Sequence, residues 1–157
     1  MTGGTRPRGR GGRLRRWIAE RPALLRLNHR REKDMANIDS GLKEMMEIEG
    51  AIGAAVVDYS SGMALGTLSS TKSLDLNVAA AGNTEVVRAK IRTTEQLGLN
   101  ESIEDILITL SAQYHIIRPL TSRKGQGLFL YLAMDRTRGN LALARHRLKS
   151  IEEELDV

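Results

Sequence analysis

The run Gly50-Ala-Ile-Gly-Ala-Ala-Val-Val-Asp58, the turn Tyr59-Ser-Ser-Gly62 and the run Met63-Ala-Leu-Gly-Thr67 constrain this chain more than any other stretch. Small and β-branched residues flanking an Asp/Ser/Gly turn predict a β-hairpin, over Ala51–Asp58 and 63–68. The hairpin carries no catalytic nucleophile pattern, no metal-ligand spacing and no phosphate-cradling glycine motif. Its chemistry is that of a structural element.

The rest of the pattern builds around it. Ile38, Leu42, Met45 and Met46 recur at helical spacing, with Asp39 or Ser40 near the start and Gly50 at the end, so a first helix of about three turns is expected. Residues 69–73 are a polar linker, and 74–97 read as a long helix stopped by Gly98 at its C′ position. Residues 103–110, 114–120 and 128–135 read as strands, joined by Ser111-Ala-Gln113 and by the charged loop 121–127. Residues 140–155 close the chain as a helix with the stripe Leu141, Ala144, Leu148, Ile151, Leu155. The predicted order is α-β-β-α-β-β-β-α, an α/β (α+β) fold with a five-stranded, mostly antiparallel sheet. Both alternating faces of Leu128-Phe-Leu-Tyr-Leu-Ala-Met134 are apolar, and Ile106 and Ile108 oppose Leu107. A sheet wet on one side would alternate cleanly, so helices are expected on both faces.

A chain of 157 residues holds one domain with a tail. Aromatics are only 3%, so the core must be built from Ala, Val, Ile, Leu and Met. With no cysteine there are no disulfides or thiolate metal sites, and His29, His115 and His146 are scattered. Neither a cofactor nor a metal is expected, no small-molecule substrate either, and the chain reads as cytoplasmic. No run approaches the ~18 apolar residues of a membrane span.

The net charge of +5 is unevenly placed. Residues 1–34 hold eleven Lys/Arg against three Asp/Glu, whereas 35–157 hold thirteen against sixteen. The basic pI therefore describes a tail, and 1–34 is expected to be a basic, disordered extension to a domain spanning 35–157. Residues 17–27 suggest a short basic amphipathic turn or two, interrupted by Pro22. Three readings stand: an electrostatic arm for nucleic acid or an anionic membrane, a solvated tail, or a translation of upstream DNA. The purine-rich codons expected for Arg30-Arg-Glu-Lys-Asp34 resemble a ribosome-binding site before Met35, which favours Met35 as the natural start.

The middle helix carries the functional argument. On a wheel of ~100° per residue, Leu76, Ala80, Asn83, Val87 and Ile91 cluster within about 80° and can face the sheet. Val78, Ala79, Gly82, Val86, Ala89 and Leu97 form a second apolar arc, offset by about a quarter to a third of a turn. Thr84, Arg88, Arg92 and Glu95 fill the polar arc. One sheet contact needs only the first arc, and small residues in the second permit close approach of another helix. Either a terminal helix covers it within the monomer, or a second copy does in a symmetric dimer. The expected dimer-interface residues are Val78, Ala79, Gly82, Val86, Ala89, Thr93 and Leu107.

Polar candidates are weaker. Asp58 with Gly62 is turn chemistry before it is a metal or phosphoryl site. Glu104 and Asp105 are neighbours on a strand and point apart. His115 has no serine or carboxylate pattern beside it. Arg118, Arg123 and Lys124 flank one loop; they are either a solvated loop or the contact for an acidic partner. Asn83 is the odd polar residue of the sheet-facing arc and must find a partner.

With this order established, the chain resembles the roadblock family, modules named after the roadblock-type dynein light chain, in its bacterial, MglB-like branch. The resemblance spans about residues 37–155. It is carried by Gly50-Ala-Ile-Gly-Ala-Ala-Val-Val-Asp58, Ser61-Gly62-Met-Ala-Leu65, Ala79-Ala-Ala-Gly-Asn83 leading to Val86, Asp105-Ile-Leu-Ile108, His115-Ile-Ile-Arg-Pro119 and Asn140-Leu-Ala-Leu-Ala-Arg145. It implies a homodimer with antiparallel middle helices and strands joined into one continuous sheet. It implies a non-enzymatic regulator or scaffold for a Ras-like small GTPase, with such GTPases often encoded beside actinobacterial members. A nucleotide-independent assembly scaffold is the alternative. The basic N-terminal segment lies outside the family pattern, and nucleic-acid or membrane binding would rest on it alone.

Overall fold

The computed structural model of the chain describes residues 1, 12–155 and 157, with the backbone alone over 12–22. Its elements are α1 (Gly12–Met46), β1 (Ala51–Asp58), β2 (Met63–Ser69), α2 (Leu76–Gln96), β3 (Ile106–Thr109), β4 (Gln113–Pro119), β5 (Leu128–Asp135) and α3 (Leu141–Glu154). The strands form one sheet in the order β2-β1-β5-β4-β3, antiparallel throughout.

Burial on both sheet faces follows from the apolar doublets of β5. Phe129, Tyr131 and Ala133 join Ala55, Val57, Leu76, Ala80 and Val87 in the core beneath α2. Leu130, Leu132 and Met134 join Ile38, Leu42, Met45, Leu148 and Ile151 in the core beneath α1 and α3. The sheet is thus sandwiched, with the terminal helices sharing one face.

Local chemistry sets the joints. Asp58 Oδ1 accepts from Ser60 N at 2.8 Å and Ser60 Oγ at 2.6 Å, and Gly62 turns the chain at φ +78°. The Ser60 hydroxyl leads the contacts that hold the Asp58 carboxyl below its ordinary range. Pairing of Val56 with Gly66 and of Val57 with Ala64 leaves Leu65 as a bulge, turned outward. Asp75 caps α2 by accepting from Asn77 N and Val78 N, and Asn140 caps α3 by accepting from Leu143 N. At Gly66 an added Cβ would lie 2.8 Å from both Ile38 and Leu42, so α1 packs directly on the hairpin backbone.

Three expectations are corrected. The first helix does not start near Asp39 or Ser40; it is continuous from Gly12, and both residues are exposed on its surface. Pro22 does not interrupt it, because Ala, Arg, Leu and Glu around it are strong helix formers. The third strand is shorter than 103–110, since Asp105 is drawn to α3 by Arg145, whose Nε and Nη2 donate to its two oxygens at 2.8 and 2.5 Å. The expectation of disorder over 1–34 falls outside the described residues for 2–11, whereas from Gly12 on the backbone is helical. Core contacts of α1 begin at Ile38, whereas 23–36 are exposed apart from a half-buried Asp34. Among the described residues no helix is long and apolar enough to cross a membrane.

Candidate functional site

Helix α2 covers its sheet face with Leu76, Ala80, Thr84 and Val87. The other apolar arc stays in solvent: Val78 is 68% exposed, Leu97 66% and Val86 39%. Gly82, Ala89 and Thr93 are exposed beside them, and Ala79 is half-buried at the margin. An added Cβ on Gly82 would meet nothing within 4 Å. Helices α1 and α3 lie on the opposite face of the sheet, so the described part of the chain does not cover this arc.

Six of the seven expected interface residues therefore share one surface. Leu107 does not join them. It packs from β3 into the core beneath α1 and α3, whereas Ile106 and Ile108 face the α2 side. Strand alternation could have assigned this from sequence, given that α2 covers the other face. The β3 edge itself, four residues long, has no neighbour on its outer side within the sheet.

Thr84 belongs with the buried arc instead of the polar one. It is 1% exposed and donates to Ala80 O at 2.7 Å, which satisfies the hydroxyl internally. Asn83 is half-buried on α2, and its side chain lies close enough to the Tyr131 hydroxyl to offset part of the rise that burial gives that group's pKa. That hydroxyl lies 3.1 Å from His115 Nδ1, and His115 Nε2 lies 2.9 Å from Gln113 Oε1. Burial lowers the His115 pKa and raises that of Tyr131 to about 12. Gln113, His115 and Tyr131 form a polar chain across β4 and β5, half-buried at the first two and fully buried at Tyr131.

The loop cations separate. Arg118 turns inward: its Nε donates to Glu152 Oε2 at 2.5 Å, and the side chains are 11% and 6% exposed. Thr121 N and Oγ1 donate to the other oxygen of Glu152 at 2.9 and 2.8 Å. Burial raises the Glu152 pKa, but Thr121 and Arg118 outweigh it and hold the carboxyl below its ordinary range. Arg118 is thus a link between β4 and α3, while Arg123 and Lys124 are on the exposed loop. Arg88 is also structural. Its Nε donates to Tyr59 O at 2.7 Å and its Nη2 to Ser60 O at 2.5 Å, clamping α2 to the hairpin turn. Sequence carried no signal for the long-range roles of Glu152 and Arg88, which rest on partners 28 to 34 residues away.

Convergent chemistry is sparse. A groove of about 300 Å³ runs between the end of α2, the connection to β3 and the loop after β4. Its titratable side chains are Tyr59 and the exposed Glu95 and Glu101. Among the described residues no group of three or more His, Asp or Glu is placed to hold a metal.

A sandwiched antiparallel sheet of order β2-β1-β5-β4-β3, with one helix alone on one face, is the roadblock fold. The Roadblock/LC7 domain from Streptomyces avermitilis has it, with TM-score 0.61 and 9% identity over 76% of this chain and 91% of that one. Myxococcus xanthus MglB matches with TM-score 0.68 and 20% identity, covering 78% of this chain and 86% of its own. An MglB structure described as a tetrameric arrangement matches with TM-score 0.67 and 18% identity, covering 78% and 88%. No protein-family model matches the sequence, and no curated protein matches it. At these identities the likeness is one of fold, and it agrees with the MglB-like resemblance of the sequence.

Proposed function

We propose that the chain is a non-enzymatic homodimeric platform for a Ras-like small GTPase, acting in the cytoplasm. The observation that carries the reading is the exposed arc of α2, from Val78 to Leu97, left uncovered while the opposite face of the sheet is closed by α1 and α3. Leaving these side chains in water forgoes their burial, and Gly82 and Ala89 let a second helix approach closely. Two such helices packed antiparallel about a two-fold axis bury the arc isologously. The β3 edges then pair to extend the sheet across the dimer.

The paired helices would offer a symmetric surface to the switch loops of a GTPase and bias their conformation through differential affinity. Direct catalysis has little support, because Arg88, Arg118 and Arg145 are each engaged by groups of the chain itself. Arg123 and Lys124, on the exposed loop after β4, are candidates for contact with an acidic partner surface.

The test is a pull-down from host lysate on the tagged protein, with a GTP analogue or GDP added, read by mass spectrometry. A small GTPase enriched in one nucleotide state supports the proposal. Partners enriched regardless of nucleotide replace it with an assembly scaffold, and a monomeric mass in light scattering overturns the dimer.

A further inference from the structure

We propose that the N-terminal half of α1 is an interfacial arm that lies on an anionic lipid surface. The helix continues N-terminal of its core contacts, and from residue 23 to 36 its large apolar residues are in solvent. Leu24 is 59% exposed, Leu25 68%, Leu27 56% and Met35 65%. On a helical wheel these four fall in an arc of about 160°, while Arg26, Arg30 and Lys33 cluster within about 60° on the opposite side. Asn28, Arg31 and Glu32 interrupt the apolar arc, and the long Arg31 stem can lie along it with its guanidinium in water. Over residues 12–34 the helix carries eight Lys/Arg against three Asp/Glu, whereas residues 35–157 are net acidic.

This charge separation directs the arm, and not the domain, to a negative partner. Nucleic acid would satisfy the cations, but an apolar arc adds nothing to a phosphate backbone. An acyl boundary uses both arcs. A second copy packed along the arm would need an uninterrupted apolar seam, which Asn28, Arg31 and Glu32 break. The inference is independent of any GTPase and requires that the arm be made, against the expectation that Met35 is the start.

The experiment is co-sedimentation of the full chain with vesicles of phosphatidylcholine alone and with about one-third phosphatidylserine. Binding is expected only to the anionic vesicles. Arg26→Gln with Arg30→Gln should lower the partition coefficient about 10–30-fold, from the usual attraction per basic residue. Leu24→Gln with Leu25→Gln should lower it at least fivefold without changing the melting temperature, since neither residue touches the core. Equal binding to both vesicles overturns the proposal, as does full binding by the leucine variant. A mass change in the leucine variant on light scattering would assign the face to a second copy. Tighter, leucine-independent binding to a DNA duplex or single-stranded RNA would assign it to nucleic acid. Native protein beginning at Met35 would remove the arm and overturn the proposal outright.

Discussion

The hydroxyl of Tyr131 lies 3.1 Å from Nδ1 of His115, and the two rings meet edge-on at 5.4 Å. The amide oxygen of Gln113 only accepts, so His115 Nε2 carries the hydrogen and Nδ1 receives that of Tyr131. The imidazole is therefore held neutral, and burial lowers its pKa from 6.5. Below about pH 6.5 the unfolded chain takes up this proton more readily than the folded one, so the stability it contributes is full above 6.5 and declines as pH falls. Urea unfolding between pH 5 and 8 should show this slope, and His115→Gln should flatten it. Tyr131→Phe should cost about 1–2 kcal/mol by stranding the half-buried Nδ1 of His115.

Glu152 is a buried acid whose folded pKa is lowered from 4.5. Its contribution is present above pH 4.5 and is lost as pH falls through the lower folded value. Glu152→Ala leaves the Arg118 guanidinium unpaired at 11% exposure and should destabilise by about 3 kcal/mol at pH 7. Glu152→Gln keeps the size and should have a shallower acid limb than the parent. Thermal melts from pH 3 to 7 decide both.

Gly82→Leu separates association from folding. Its Cβ meets nothing in the chain, and Leu is the better helix former by about 1 kcal/mol. The monomer should hold or gain stability while the dimer dissociates, which light scattering with parallel melting curves would show. A stable dimer would mean that the interface lies elsewhere.

At Gly66 the same kind of change acts on the core. Gly66→Ala drives a methyl against Ile38 and Leu42, each 2.8 Å from the new Cβ. Overpacking of about 1–3 kcal/mol is expected, with no effect on subunit mass. Denaturant unfolding measures it.

Removing residues 1–34 should leave stability within about 1 kcal/mol, because the core contacts of α1 begin at Ile38. A loss above 3 kcal/mol would place the domain boundary further upstream. Differential scanning calorimetry of 35–157 against the full chain is the comparison.

The elements whose information is local are legible in the order of residues alone. Alternating and doubled apolar positions define β1 and β5, and Asp58 to Gly62 define the hairpin turn. The two arcs of α2 follow from a 3.6-residue period that needs no partner to be read. What each side chain meets is settled only when the segments assemble. Leu107 and Ile108 look alike in sequence, yet the sheet sends one to α3 and the other toward α2. Arg118 reads as a loop cation until Glu152, 34 residues later, is folded onto it. Thr84 reads as polar surface until its hydroxyl turns back to Ala80, allowing it to be buried beside Gly62. Helix and strand periods are properties of neighbouring residues; ion pairs, polar chains and the choice of sheet face are properties of segments brought together by the whole core.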